Sequence, residues 1–468
     1  MSKRIKQIFF SNFGLPILII LQFLVSCGRT TSVKKDRFFE VDFSNASSLV
    51  DCKSFLEELQ VYESNPHFFK KMIRVPLDWS DRNSKESVNV FVYGIIGISK
   101  VAPIVFINGG PFASSHTSFK AMSEEAENLK LDFVFFDQRG TGCSTNIPEL
   151  NNLDELRKIK YFRTVELVQD IEAIKLTLWG KNKKIKIMGQ SFGGFLGFRY
   201  FSTFPDSVLS LHIHGYALMK DNLNWYINRF YSQKKVAEHF FELYPQAKID
   251  FDLLNKIIPH DLCLDNFGNK ECGPKILQFM TGVLGQFTQW KKLAGRIAQL
   301  LTTDRHLNRD ELVKWLGRYG GATANYSLAK ILVTFTEVNV RNNFSYDYVG
   351  CRSFLDRLNS LMETYDNWIL SECKLTDIGP APDVILDMIN GIGFRPYGYY
   401  DLTKSLNESD SKLFLYSSEY DPYVPPASFN DLAAVLVPSR HTYMEIKNSG
   451  HDAFLKDPSI WRDLFHDR

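Results

Sequence analysis

The run Gly189-Gln-Ser-Phe-Gly193 sets a serine between two glycines at a spacing that suits nucleophilic chemistry. An apolar stretch, Lys184 to Met188, leads in as a buried strand, and Phe195 to Phe204 leads out as a helix. A strand-to-helix turn this tight leaves no room for bulk two residues before or after the serine. It thrusts the hydroxyl out above a helix N-terminus. A serine hydroxyl is a weak nucleophile, so it needs a neighbouring base, and the base needs an acid to orient it.

In sites of this construction the partners follow the serine in the order acid, then histidine. Two loops near the end of the chain offer them. The first reads Ser417-Ser-Glu-Tyr-Asp421-Pro-Tyr-Val-Pro-Pro426, and the second Asn448-Ser-Gly-His451-Asp452. Asp421 and His451 are 30 residues apart, with one helix and one strand expected between them. Glu419 is the alternative acid, and Asp421 would then cap the following turn; the turn-forming Pro422 favours Asp421. The other histidines after Ser191 are His212, His214, His239, His260, His306, His441 and His466. His212 and His214 fall within a strand and read as core or edge residues. His451 follows a glycine in a loop, as a general base that must move a proton should.

An oxyanion needs two backbone N–H donors. Phe192, directly after the serine, supplies one. The loop Asn108-Gly109-Gly110-Pro111-Phe112 follows a buried strand and supplies the other. Pro111 has no N–H, which leaves Gly110.

The elements that must position these residues alternate. Strands are expected at Met72–Leu77, Val88–Ile96, Ala102–Ile107, Leu131–Phe136 and Val208–Ile213, with helices at Phe119–Leu129 and Val165–Trp179. That alternation implies an α/β fold, a mostly parallel sheet with helices on both faces. From 217 to 395 the pattern turns helical, with helices expected at Asn222–Tyr244, Ile276–Leu301, Arg309–Leu316 and Ser327–Val338. The sheet signature resumes with a strand at Lys412–Tyr416, a helix at Ala427–Leu436, a strand at Thr442–Ile446 and a helix at Ile460–Phe465. The expected organisation is therefore a signal peptide (1–26), a tether and N-terminal segment (27–70), a sheet domain in two parts (71–216 and 396–468), and a helical cap inserted between them (217–395).

Lys3, Arg4 and Lys6 precede an apolar stretch from Ile8 to Val25 and then Ser26-Cys27. This order reads as a secretory signal peptide, and a small residue directly before a cysteine resembles a bacterial lipobox. Cys27 would then carry the lipid, fixing the protein at a membrane of the cell envelope. Removing residues 1–26 leaves 52 lysines and arginines against 53 acidic residues, a balance that does not suggest nucleic acid as a partner. Cys52, Cys143, Cys263, Cys272, Cys351 and Cys373 remain. An even number in an exported chain favours disulfides. The local pairs are Cys263 with Cys272 and Cys351 with Cys373, which leaves Cys52 with Cys143. No spacing suits a metal, and no organic cofactor is implied.

Three segments carry a family resemblance: Asn108-Gly-Gly-Pro111, Asp137-Gln-Arg-Gly-Thr-Gly-Cys-Ser144 and Gly189-Gln-Ser-Phe-Gly-Gly194. With the Asp421 loop and the Gly450-His451 end, the chain resembles the α/β-hydrolase fold of proline iminopeptidases and tripeptidyl aminopeptidases over about 70–215 and 400–468. The resemblance implies an aminopeptidase acting on peptides with a free N-terminus. It also implies that cap acids grip the substrate's α-amine, for which Glu337 is a candidate. Asp137 and Arg139 would brace the loops beside the oxyanion hole. The chain departs from the family's pattern where Asn108 replaces a histidine and Phe112 a glycine. Phe112 would add bulk near the substrate. A carboxylesterase or lipase with the same Ser191, Asp421 and His451 is the alternative, and a catalytically silent surface-binding lipoprotein is a second.

Overall fold

The computed structural model describes residues 39–41, 50–81, 83–110, 113–146, 157–215, 222–266, 269–273, 277, 284–319 and 399–453. The strands are β1 (Phe39–Val41), β2 (Phe68–Pro76), β3 (Ser87–Ile95), β4 (Ile104–Ile107), β5 (Phe133–Phe136), β6 (Ile185–Gln190), β7 (Val208–His214), β8 (Cys263–Asn266), β9 (Asn269–Cys272), β10 (Lys412–Ser418) and β11 (His441–Ile446). The helices that matter below are α1 (Val50–Leu59), α2 (His116–Asn128), α3 (Thr164–Trp179), α4 (Phe192–Thr203), α5 (Asn222–Leu243), α6 (Pro245–Ile257), α7 (Trp290–Gln299), α8 (Arg309–Tyr319), α9 (Tyr399–Glu408) and α10 (Ala427–Ala433).

Among the described residues, nine strands form one sheet in the order β1-β2-β3-β5-β4-β6-β7-β10-β11. The first three are antiparallel, and everything from β5 to β11 runs parallel. β4 (Ile-Val-Phe-Ile) and β5 (Phe-Val-Phe-Phe) are buried at every position. That is the composition of strands covered on both faces. The two-residue period divides them between two cores. Val105, Ile107, Val134 and Phe136 meet Leu167, Ile171 and Ile174 of α3 and Phe195 and Phe198 of α4. Ile104, Phe106, Phe133 and Phe135 meet Phe55 and Leu59 of α1 and Phe119 and Met122 of α2.

Between β7 and α9 lies the inserted region. Its described part has a core of its own, built on Val236, Phe240, Leu254, Trp290, Leu293 and Ile297. The chain is back in the sheet domain by α9, whose Leu406 is buried in the first core.

Four features depart from the sequence reading or add to it. Within the expected tether and N-terminal segment, β1 pairs with β2 and α1 buries Cys52, Phe55 and Leu59. Cys52 is joined to Cys143 by a disulfide. The helix expected over Ile276–Leu301 is interrupted: α7 begins only at Trp290, preceded by a 3-10 turn, Phe287–Gln289, and by the non-helical Gln286. Where only helices were expected, β8 and β9 form a two-stranded ribbon with Cys263 directly opposite Cys272. The pairing of Cys351 with Cys373 and the helices at Ser327–Val338 and Ile460–Phe465 lie outside the described residues. Among the described residues, no helix is long and apolar enough to cross a membrane.

Candidate active site

Ser191 stands between β6 and α4 with φ 56° and ψ −123°. A non-glycine residue held there is strained, and strain of this kind persists only where the surroundings enforce it. The enforcement is visible. The Ser191 N–H donates to the carbonyl of His214 at 2.9 Å, tying the turn to β7. A Cβ on Gly189 would come within 2.6 Å of the Gly193 carbonyl oxygen, and one on Gly193 within 2.7 Å of the Asn108 carbonyl oxygen. Both glycines are thus required by backbone packing. Gly109 also faces the serine, since a Cβ there would sit 3.0 Å from Ser191 Cβ.

The acid and base loops leave the C-terminal ends of β10 and β11, on the edge of the sheet where β6 ends. Asp421 is fully buried and His451 partly so. Asp421 Oδ2 lies 2.7 Å from His451 Nδ1, while Oδ1 accepts the N–H groups of Tyr423 and Val424, each at 2.9 Å. Burial pushes the Asp421 carboxyl up. The charge and hydrogen bond of His451, with His214 and the Val424 N–H, outweigh it and hold the group below the usual carboxylate range. Gly215 makes room for this pair: with φ +55°, a Cβ there would sit 3.0 Å from Asp421 Oδ2 and 3.2 Å from His451 Nδ1. Glu419 faces elsewhere, pairing with Lys235 at 3.6 Å and accepting the Asn448 N–H at 3.2 Å. The structure thus brings Asp421, not Glu419, to His451.

His212 and His214 are core residues. Burial depresses both to about 3, aided at His212 by the charge of Lys186. His212 stacks on Phe414 with ring centroids 4.5 Å apart, and His214 Nε2 lies 2.7 Å from Ser418 Oγ.

Phe192 opens α4, so its N–H belongs to a first turn whose donors have no partner within the helix. Gly110 is exposed at φ +120°, at the mouth of the loop after β4. Phe112, Glu337 and Cys27 lie outside the described residues.

The segment Asp137–Ser144 divides its labour differently from expectation. Asp137 accepts the Ser115 N–H at 3.1 Å and the Cys143 N–H at 2.9 Å, and lies 2.7 Å from His116 Nε2. Gln138, which the sequence reading passed over, is the residue that reaches the oxyanion loop, donating from Nε2 to the Asn108 carbonyl at 3.0 Å. Arg139 turns the other way. It forms a bidentate pair with Asp170 at 2.7 Å and binds the carbonyls of Pro76, Leu77 and Tyr161. It therefore locks α3 to the end of β2 instead of bracing the oxyanion loops. His116, Asp137 and Cys143 offer atoms within 4.8 Å of one another, but the Cys143 sulfur is committed to Cys52.

The α/β hydrolase fold family matches residues 102–253. A proline iminopeptidase of Aeromonas sobria is 29% identical over 160 residues, 32% of this chain and 36% of that protein. A proline iminopeptidase of Arabidopsis thaliana is 26% identical over 274 residues, 55% of this chain and 66% of that protein. The chain thus matches between about one third and two thirds of the length of these relatives. Among solved structures, a membrane phospholipase A described as a bacterial virulence factor aligns over 96% of both chains with 13% identity and a TM-score of 0.42.

Proposed function

We propose that this chain, an α/β hydrolase of the proline iminopeptidase family, is a serine aminopeptidase that removes residues from the free N-terminus of peptides. The observation that carries the reading is the 2.7 Å contact between buried Asp421 and His451, at the same sheet edge as a strained serine. Asp421 fixes the His451 tautomer with the proton on Nδ1, leaving Nε2 free to act as base.

The chemistry then runs in two halves. Ser191 Oγ bonds to the carbonyl carbon of the substrate's N-terminal residue as His451 takes the hydroxyl proton. The Phe192 and Gly110 N–H groups hold the oxyanion. The C–N bond breaks, and the leaving amine takes that proton from His451. Water, deprotonated by His451, next attacks the acyl-serine; the bond to Ser191 Oγ breaks, Oγ takes the proton back from His451, and the free acid leaves. Water is the only co-reactant, and the reaction uses no metal or organic cofactor.

Amine recognition belongs to the cap in this reading, with Glu337 as the acid. A buried ammonium needs a paired carboxylate, because desolvation costs more than an exposed contact returns. Hydrolysis of aminoacyl arylamides, free and N-acetylated, by wild type and Ser191→Ala tests it. Acetylation should lower kcat/KM by roughly 10- to 100-fold, about 1.4 to 2.7 kcal/mol. Equal rates on both substrates would make the protein an esterase with the same three residues.

Cys27 is proposed as the lipid attachment point that places the enzyme at the cell envelope. Cys27→Ser should abolish metabolic labelling with a fatty-acid analogue, and persistent labelling elsewhere would refute it.

A further inference from the structure

One turn of the inserted region is threaded between the acid and base loops. His451 is gripped at both of its backbone polar groups. Its carbonyl accepts a hydrogen bond from Gln190 Nε2, next to the nucleophile. Its N–H donates to the carbonyl of Gly285, in the cap, at 2.7 Å. The approach is close on both sides. A Cβ on Gly450 would sit 2.5 Å from the Gly285 oxygen and 2.8 Å from the Phe287 ring. A Cβ on Gly285 would collide with the Tyr423 ring and sit 3.1 Å from Pro422, in the acid loop.

The next residue after the base completes the grip. Asp452 is buried, at 4% exposure, yet no part of the chemistry uses its carboxylate. Oδ1 accepts the Phe287 N–H at 3.0 Å. Oδ2 accepts the Thr288 N–H at 3.1 Å and the Thr288 hydroxyl at 2.7 Å. Phe287–Gln289 runs straight into α7, so Asp452 caps a helix 165 residues away in the chain, satisfying orphan donors with a charge of favourable sign. This capping sits where the chain re-enters helix after the non-helical Gln286.

We propose that Asp452 is a positioning residue for His451, and that the cap turn Gly285–Thr288 is one half of the frame that holds the base in line with Ser191. The frame's other half is Gln190, in the sheet domain. The inference rests on the reading of Ser191 as nucleophile and His451 as base. It assigns the cap a part in the proton transfer that is independent of substrate recognition.

The test is the second-order rate of labelling by a fluorophosphonate, which reports the reactivity of the serine and needs no amine-binding acid. It is paired with kcat and KM on a small acyl ester. Asp452→Ala should slow labelling and lower kcat together by about 10- to 100-fold, the cost of a base displaced on the ångström scale, with KM little changed. Asp452→Asn, which keeps the shape and one acceptor, should recover part of the loss. Thr288→Val deletes a single hydroxyl contact and should cost about fivefold, the scale of one hydrogen bond. It also decides the matter if Asp452→Ala fails to fold. A merely structural role would lower the fraction of active molecules, counted by end-point labelling, and leave the rate per active molecule unchanged. That result, or wild-type labelling rates in both Asp452→Asn and Thr288→Val, overturns the proposal while the nucleophile assignment stands. Absence of labelling at Ser191 in the wild type overturns both.

Discussion

The proposed nucleophile and its proposed base are held in opposite ways. Ser191 is fixed by its own neighbourhood: two glycines within two residues, the carbonyls of the adjacent β4 loop, and one hydrogen bond to β7. His451 is fixed by distant chain: Asp421 at 30 residues, Gln190 at 261, and the cap turn at about 165. Strain built from local backbone packing is rigid and self-contained. A frame assembled from separate segments is only as firm as the docking of its parts. In the proposed mechanism the sheet edge supplies a fixed serine, and the inserted region governs how the base is presented to it.

The largest expected effect removes the fixed element. Ser191→Ala should cut turnover by roughly four to six powers of ten while the circular dichroism spectrum and melting temperature stay those of the wild type. Turnover within tenfold of wild type would place the chemistry elsewhere.

Next in size is the covalent tie of α1 to the sheet domain. Replacing Cys52 and Cys143 together by serine frees a loop spanning 91 residues, and should lower unfolding free energy in denaturant titration by about 4 kcal/mol. A loss under about 1 kcal/mol would show that α1 docks without its staple.

The contrast between sheet and cap can be read with one methyl group. Gly193→Ala drives a Cβ into the carbonyls of Ile107 and Asn108, and should cost about 3 kcal/mol. Gly295→Ala, on cap helix α7 with nothing within 4 Å, should stabilise by about 0.5 to 1 kcal/mol, because glycine is the poorer helix former. If both changes shift the denaturation midpoint equally, the two regions are not packed as differently as described.

Acid should find the sheet through β7. His212 keeps a folded-state pKa of about 3 against 6.5 unfolded. Between these values the unfolded chain binds the proton and the folded chain does not, so stability is full above about pH 6.5 and falls as pH drops toward 3. From pH 6.5 to 5 the loss is roughly 2 kcal/mol for this one group. His212→Gln should lose that much less between urea titrations at pH 7 and pH 5, and an unchanged difference would refute the assignment.

How much was legible follows the same division. The central strands announce themselves because burial on both faces demands unbroken apolar runs, as in Ile104–Ile107 and Phe133–Phe136. The serine turn is legible because its glycines are a local steric requirement. Asp421 and His451 could be found by chain order and loop chemistry, but their frame could not. The turn at Phe287 is capped by a carboxylate far along the chain, and helical periodicity carries no trace of it. β1 is three residues long, too short for a period to show. The ribbon of β8 and β9 offers two four-residue strands with almost no apolar alternation. Arg139 and Gln138 are neighbours in sequence, and only the twist of the chain decides which one reaches the oxyanion loop.

The bridge between Cys52 and Cys143 also fixes a route for mechanical load. A pull on the chain ahead of Phe39 first meets β1, which holds the sheet edge by three residues. Once that edge is peeled, tension runs along α1 only as far as Cys52 and crosses covalently to Cys143. It arrives in the segment whose Asp137 and Gln138 hold the loops of Ser115 and Asn108. Force applied ahead of Phe39 is thus delivered to the segment that holds the loops of Asn108 and Ser115, and the chain between Cys52 and Cys143 is bypassed.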